Sequence, residues 1–340
     1  MFYALCSKCI RSLLFWLGLI NLVTALARMP VLGWFAHRRR DALAGAALAG
    51  VMIVRGRAVW WALPLALPLQ VAAASVRGLW QHPRRIFAAA QVVALPLADG
   101  ATLPGLLLLA AQPNGAGVVV CHGAGNDKIK YAWRMVAKLH EAGLTVLAID
   151  LDGHGENQRR LRVPGIEENV AVAVAFLREH CQRVGVVGVS LGGCVAARAV
   201  ADGVLVDCLA LIEAPAAVNL AAVPYVRSEL RGLLRPTFWR GTDTPLQLFA
   251  AWGGRLDSEH GLSELFDLLD LRSALPRIAC PTLLLYGTAD VIAPYAVIQP
   301  LLATIPNATL HLHGGASHLS LTMEPAPLAD LAAWLVNTLR

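Results

Sequence analysis

The last 250 residues of this 340-residue chain alternate between short apolar runs and longer stretches of helical spacing. Residues 91–97 and 102–110 flank Asp99-Gly100 and predict a β-hairpin. Apolar runs at 117–121, 144–149, 184–189, 208–212, 282–286 and 308–313 predict further strands, several of them buried. Helical spacing over 127–142, 167–181, 193–200 and 325–339 places helices between and after them, the first stopping at Gly143. Strands alternating with helices give an α/β fold, a mostly parallel sheet covered by helices on both faces. In such sheets the chemistry sits at the carboxyl ends of the strands.

The first ninety residues follow another pattern. Residues 12–27 are apolar apart from Ser12, Asn21 and Thr24, with Lys8 and Arg11 before and Arg28 after. That run is just under the roughly 17–25 residues that cross a bilayer. Residues 41–54 are rich in small side chains, and Gly45, Ala46, Ala49 and Gly50 permit close helix contact. A third run, 58–76, is interrupted by Pro64 and Pro68. Arg38, Arg39, Arg40, Arg55, Arg57, Arg77, Arg84 and Arg85 separate and flank the runs. The pattern divides the chain into a hydrophobic helical extension, 1–90, and a catalytic-sized domain, 91–340.

Composition sharpens this division. Apolar residues reach 56% and mean hydropathy is +0.56, while charged residues are 15% against about 25% in ordinary globular chains. Eleven of the 29 basic residues but one of the 23 acidic residues precede position 91, a net of +10 there against −4 beyond it. The pI of 9.1 is therefore a property of the extension. Basic residues interleaved with apolar runs fit a membrane surface. Nucleic acid is excluded as a partner, because no basic cluster dominates the large domain. A cleaved signal peptide would use Ala25-Leu26-Ala27, but arginines and apolar sequence continue past it. A membrane anchor or interfacial hairpin fits better, with a helical cap on the large domain as the alternative. If only 12–27 spans, Arg28 and Arg38 to Arg40 outweigh Lys8 and Arg11 and leave the large domain in the cytoplasm. A second span would move it outside. Seven cysteines, an odd number mostly on predicted core elements, favour the reduced compartment. Cys6 and Cys9 have C-x-x-C spacing but no second pair to complete a zinc site.

Candidate chemistry falls at the strand ends. Gly188-Val189-Ser190-Leu191-Gly192 lies between a predicted strand and a small-residue helix, the pattern of a nucleophile elbow. Asp290 follows the strand at 282–286, and His318 follows the last strand through Gly314-Gly315-Ala316-Ser317. A serine hydroxyl is a weak nucleophile at neutral pH. His318 is placed to take its proton and Asp290 to fix the imidazole tautomer. Cys121-His122-Gly123-Ala124-Gly125 also joins a strand to a helix, so the backbone N–H groups of Ala124 and Leu191 are the expected oxyanion hole. Glu213 also ends a strand and is the competing acid. His122, Asp150 and Asp152 are expected to hold loops, His313 to be structural, and Cys194 to pack. Gly123 to Lys128 lacks the spacing of a phosphate loop, and no metal constellation is evident. No cofactor is expected.

The motifs His122 to Gly125, Asp150 to Gly155, Gly188 to Gly193, Tyr286 to Asp290 with Pro294, and Gly315 to His318 together resemble the α/β-hydrolase superfamily. Within it the chain is similar to the lysophospholipase, monoacylglycerol lipase and serine aminopeptidase-like branch. Val189 and Leu191 stand where that branch has His and Met, which looks more like other esterase-like relatives. The resemblance covers about 91–340 and implies an α/β-hydrolase fold with a helical lid, at about 215–275. Tyr225, Phe238, Trp239, Phe249, Trp252 and Phe266 fall in that insertion, with Arg227, Arg231, Arg235 and Arg240. It implies a serine hydrolase cleaving carboxylic esters of acyl or lipid-like character. A peptidase or thioesterase on the same residues, and a non-catalytic binding protein of this fold, are the alternatives.

Overall fold

The computed structural model describes residues 2–29, 32–35, 38–54, 62–87, 90–112, 114–129, 133–218, 221–235 and 256–340. Arg55, Arg57, Phe238, Trp239, Arg240, Phe249 and Trp252 lie outside the described residues. Among the described residues, contacts group 2–85 with Arg235 in one compact unit and 86–234 with 256–340 in the other.

The larger unit is organised by an eight-stranded sheet among the described residues, in the order β1-β2-β4-β3-β5-β6-β7-β8. Strands β1 (Gln91–Pro96) and β2 (Thr102–Leu108) form the expected antiparallel hairpin. Strand β2 then pairs antiparallel with β4 (Thr145–Ile149). From β4 onward, β3 (Ala116–Cys121), β5 (Arg183–Val189), β6 (Cys208–Ile212), β7 (Thr282–Gly287) and β8 (Ala308–His313) run parallel. Every residue of β3, β4, β6 and β7 is buried, which is why these strands read as unbroken apolar runs rather than alternating ones. The edge strand β8 is only partly buried.

Helices in this unit include α4 (Trp133–Glu141), α5 (Glu167–Arg178), α6 (Leu191–Ala201) and α11 (Pro325–Thr338). Between β6 and β7 come α7 (Ala222–Leu233), α8 (Leu262–Leu268) and α9 (Leu271–Ala274), and the short α10 (Tyr295–Ile298) follows β7. Spacing suggested a helix over 127–142, but residues 127–129 are loop and turn, where the carboxylate of Asp150 takes the Lys128 backbone N–H at 2.7 Å. A side chain from just past β4 thus holds that stretch out of a helix.

The smaller unit contains α1 (Phe2–Leu26), α2 (Arg38–Val54) and α3 (Leu63–Phe87). Helix α1 extends about ten residues before the apolar run predicted at 12–27, and α3 continues through Pro64 and Pro68 to residue 87. Proline near a helix start sacrifices an N–H that has no intrahelical acceptor, so Pro64 costs little. Helices α1 and α2 meet through glycine: a Cβ on Gly45 would lie 2.6 Å from the Gly18 carbonyl oxygen and the Leu22 nitrogen. Buried polar groups secure the connection between them. Asn21 accepts the Trp34 N–H at 3.0 Å and Asp41 accepts the Phe35 N–H at 2.8 Å. Outward-facing apolar side chains remain on all three helices, among them Val23, Leu26, Leu43, Ile53, Leu65 and Val76.

The tightest crossing in the larger unit is that of β5 with α6. A Cβ on Gly188 would sit 2.5 Å from the Gly192 carbonyl oxygen and 2.6 Å from the Gly193 Cα. Both neighbours are backbone and cannot swing aside. Gly188→Ala is therefore expected to destabilise the protein by about 2–4 kcal/mol. A chemical-denaturation midpoint equal to that of the wild type would show that the crossing tolerates a side chain.

Candidate active site

Strand β5 ends at Val189 and α6 opens at Leu191, so Ser190 alone makes the turn. Its φ of 50° and ψ of −117° are a conformation that costs a residue with a side chain about 1–3 kcal/mol. The neighbouring contacts hold it there. Ser190 donates its N–H to the Ile212 carbonyl at 2.8 Å, extending the β5–β6 ladder by one rung. A Cβ on Gly192 would press within 2.5 Å of the Cys121 carbonyl oxygen, and one on Gly193 within 2.6 Å of the Ala214 methyl group. Only glycine at both positions lets the helix start this close to the sheet.

The serine so presented meets residues from two other strand ends. His318 Nε2 lies 3.1 Å from Ser190 Oγ, and His318 Nδ1 lies 2.8 Å from Asp290 Oδ2. If Nδ1 donates to the carboxylate, Nε2 is left as the acceptor for the serine O–H. The other oxygen of Asp290 accepts the N–H groups of Ile292 at 2.8 Å and Ala293 at 2.9 Å. The loops bearing the two residues are themselves joined: Ala289 donates to the Ala316 carbonyl at 3.0 Å and Gly315 to the Thr288 hydroxyl at 2.7 Å. Burial pulls the His318 imidazole down. The charge and hydrogen bond of Asp290, with the charge of Glu229, outweigh it and hold the imidazole above its ordinary value.

Glu213 approaches the same imidazole less closely, its Oε2 being 4.0 Å from Nδ1. It is wholly buried at the end of β6, and among the described residues neither carboxyl oxygen has a hydrogen-bond partner. Burial first, and then the charge of Asp290, pushes its carboxyl well above the usual range. Both influences favour its neutral form, and it is Asp290 that engages the imidazole. The ligand atoms of Glu213, Asp290 and His318 lie within 4.8 Å of one another. The His318–Asp290 hydrogen bond already uses two of these groups, so the arrangement suits proton transfer better than metal binding.

The loop after β3 closes the other side of Ser190. Gly123 faces the serine so closely that a Cβ there would lie 3.4 Å from the Ser190 Cβ, and Ala124 lies in the same turn. Leu191 opens α6, so its N–H has no intrahelical acceptor. His122 is wholly enclosed: Nε2 accepts the Leu151 N–H at 3.1 Å and Nδ1 lies 2.8 Å from the Gly123 carbonyl oxygen. Its ring packs edge-on to that of His154, centroids 4.8 Å apart. The Asp150 carboxylate organises this region by accepting both the backbone N–H and the ammonium of Lys128, and the Glu156 N–H at 2.8 Å. Burial pulls the Lys128 ammonium down, but Asp150 and Glu156 more than restore it.

Several residues at this site carried no sequence signal. Lys128 carries its ammonium to Asp150, 22 positions further along the chain. Ser228 and Glu229, on α7, lie far along the chain from the loops they touch. The Ser317 hydroxyl donates to Glu229 at 2.8 Å. His313 lies at the end of β8, 3.3 Å from Asp330 and away from this cluster.

The model of the alpha/beta hydrolase family matches residues 118–334, which contain all of these strand ends but those of the hairpin. The chain belongs to the alpha/beta hydrolase family. It is 31% identical over 230 residues to a pimeloyl-[acyl-carrier protein] methyl ester esterase of Chromobacterium violaceum, across 60% of this chain and 87% of that one. In three dimensions it is similar to an esterase of Pyrococcus furiosus, with a TM-score of 0.57 at 19% identity over 76% of this chain and 94% of the other. A membrane phospholipase A, described as a bacterial virulence factor, gives a TM-score of 0.56 at 22% identity, covering 82% and 98%.

The two enclosed histidines of this alpha/beta hydrolase give its stability a pH dependence. Burial lowers both His122 and His154 from 6.5 to about 4. The unfolded chain therefore binds these protons first as pH falls. The stabilisation from keeping the rings neutral is full above about 6.5 and is lost progressively towards pH 4. The urea midpoint is expected to drop across that window, and to drop less steeply in His154→Asn. Equal slopes in the two proteins would mean that His154 is protonated without cost in the fold.

Proposed function

We propose that this alpha/beta hydrolase is a serine hydrolase that cleaves carboxylic esters of acyl or lipid-like character through an acyl-enzyme. The observation that carries the reading is the chain of contacts from Asp290 to His318 to Ser190 at 2.8 and 3.1 Å, at the strand ends of the sheet. In this reading His318 takes the proton of the Ser190 hydroxyl as its oxygen attacks the ester carbonyl carbon. Asp290 stabilises the resulting imidazolium, and the N–H groups of Ala124 and Leu191 receive the negative oxygen. As the intermediate collapses, His318 returns the proton to the departing alkoxide. Water, activated by the same imidazole, then releases the acid and restores the serine. The names of the relatives, an ester hydrolase and esterase or phospholipase structures, support the choice of ester over amide.

Two features support an amphiphilic substrate and a membrane site of action. On α7, Val226, Leu230 and Leu234 at successive turns are exposed, beside exposed Arg227 and Arg231. An apolar stripe edged by arginine fits an anionic lipid surface. Separately, α1 holds an 18-residue window, Cys9–Leu26, long and apolar enough to cross a membrane. Arg28 and Arg38 to Arg40 beyond its end, against Lys8 before it and Arg11 near its start, favour a catalytic domain on the cytoplasmic side. In this reading residues 1–90 are the anchor, 91–340 the catalytic domain, and the segment at about 215–275 its lid.

Labelling by a fluorophosphonate, followed by p-nitrophenyl esters of rising chain length, tests the activity. Ser190→Ala and His318→Ala are each expected to abolish labelling and to cost about 10⁴-fold or more in kcat, with the double variant little worse than either. Asp290→Asn is expected to be severe and Glu213→Gln mild. The opposite order of the two acids would transfer the role to Glu213, and a preference for aminoacyl anilides would replace the esterase reading with a peptidase one.

Membrane attachment is tested by fractionating cells that produce the full chain. The protein is expected in the membrane pellet and to stay there in 1 M salt, a buffer in which the Debye length is about 3 Å and surface charge pairing is screened. Detergent should release it. Release by salt alone would mean interfacial attachment, and recovery in the soluble fraction would remove the anchor.

A further inference from the structure

Helix α7 is the first helix after β6, and it grips the two loops that carry Asp290 and His318. Ser228 donates its hydroxyl to the carbonyl of Ala289, the residue before Asp290. Glu229, almost fully buried, accepts the Ser317 hydroxyl at 2.8 Å and the Leu319 N–H at 3.4 Å through a single oxygen, Oε2. Those two donors stand on either side of His318. One turn on, Gly232 packs against the same loop, so close that a Cβ would lie 3.2 Å from that of Ser317 and 3.4 Å from that of Ser320. The loop is also braced from within, since Ser317 donates its N–H to the Ser320 hydroxyl at 2.9 Å, and that hydroxyl donates to Glu324 at 3.1 Å.

We propose that Glu229 is a positioning residue for His318, fixing its loop from α7 and supplying a second negative charge behind the imidazole. The proposal rests on the reading of His318 as the base of a serine hydrolase.

A carboxylate is a poor choice for this place if packing were its only task. It is buried, and burial raises its carboxyl above the usual range, against which Ser317, the charge on His318 and the Leu319 N–H act. A neutral side chain would hold the loop without that cost. The charge has a use where it is, because it adds to Asp290 in raising the imidazole. The other titratable groups facing this cluster are accounted for. Glu213, from the end of β6, has its carboxyl pushed well above the usual range by burial and then by Asp290, which favours its neutral form. Tyr225, one turn earlier on α7, is pushed up to about 12 by burial and then by Glu229, so it too stays neutral. Glu324 is held behind Ser320. Asp290 and Glu229 are therefore the charged pair that His318 senses most directly.

The consequence has a definite sign. His318 must be neutral to act as base, and negative neighbours favour its protonated form. Removing the charge of Glu229 lowers the imidazole, so the acid limb of the kcat/KM profile moves to lower pH. Glu229→Gln, which keeps an acceptor oxygen, is expected to move that limb down by about 0.5–1 pH unit. Its kcat on the plateau should fall no more than a few-fold. Glu229→Ala, which also frees the loop, is expected to show the same shift and to lose about tenfold or more in kcat, with KM for a short ester nearly unchanged. Ser317→Ala should lose kcat without the shift. A folded Glu229→Gln with a wild-type acid limb, or a folded Glu229→Ala with wild-type kcat, would overturn the proposal. If the alanine variant does not fold, the glutamine and Ser317→Ala variants decide it by the same two readouts. NMR titration of the His318 ring, assigned by its loss in His318→Gln, reads the shift in wild type and Glu229→Gln without any substrate. An inert wild type that still shows the NMR shift would therefore sink the esterase reading alone, and an active one without the shift would sink the role of Glu229.

Discussion

A residue with a side chain sits in left-handed backbone at the turn between β5 and α6, and much of the larger unit is arranged to keep it there. Ser190 at φ 50° is unfavourable by itself. It persists because the ladder to β6 is extended through its own N–H, and because Gly188, Gly192 and Gly193 let the helix close against β3, β6 and the turn. The parallel sheet supplies the rigid frame. Buried strands on either side leave the turn nowhere to relax, so strain at one residue is balanced by packing over many. The gain is a hydroxyl held at a fixed point at the strand ends, where loops from three other strand ends converge.

The second constraint is electrostatic. Asp290, Glu213 and Glu229 lie close to one imidazole, and three ionised carboxylates enclosed together would repel strongly. The fold resolves this by giving each a different environment. Asp290 receives two backbone N–H groups and the imidazole, Glu229 receives a hydroxyl and an N–H, and Glu213 receives no donor among the described residues, in surroundings that favour its neutral form. On the opposite side of the serine, Lys128 and Asp150 pair with their charges satisfied, which fixes the loop carrying Ala124. His122 and His154 stay neutral in the same region.

The smaller unit obeys different physics. Helices α1 and α2 approach through Gly18, Gly45 and Ala49, and the buried side chains of Asn21, Asp41 and Gln70, one on each helix, hydrogen-bond to the backbone of the α1–α2 connection. Large apolar side chains are left outside. In water that inversion is costly, whereas in or on lipid it is not.

Much of this was legible in sequence because it depends on local pattern. Buried parallel strands must be apolar throughout, so β3 to β7 read as runs, and Asp99-Gly100 marks the hairpin. The glycines flanking Ser190 announce a crossing too close for side chains, and the order of Ser190, Asp290 and His318 after successive strands places them on one edge of the sheet. The sequence favoured Asp290 over Glu213 by its place in the motif after β7, although both acids end strands. What only the folded chain supplies is the geometry: Asp290 has two N–H donors and a 2.8 Å contact to Nδ1, while Glu213 lies at 4.0 Å without a donor among the described residues. The loop at 127–129 was not legible, because the Asp150 carboxylate that holds it arrives from the end of β4. Glu229 lies 89 positions before His318, in a stretch whose pattern says only that it is helical. Periodicity reports which face of an element is buried. It is silent on which group in that burial finds a partner, because partners are set by distances between elements that the chain brings together only when folded.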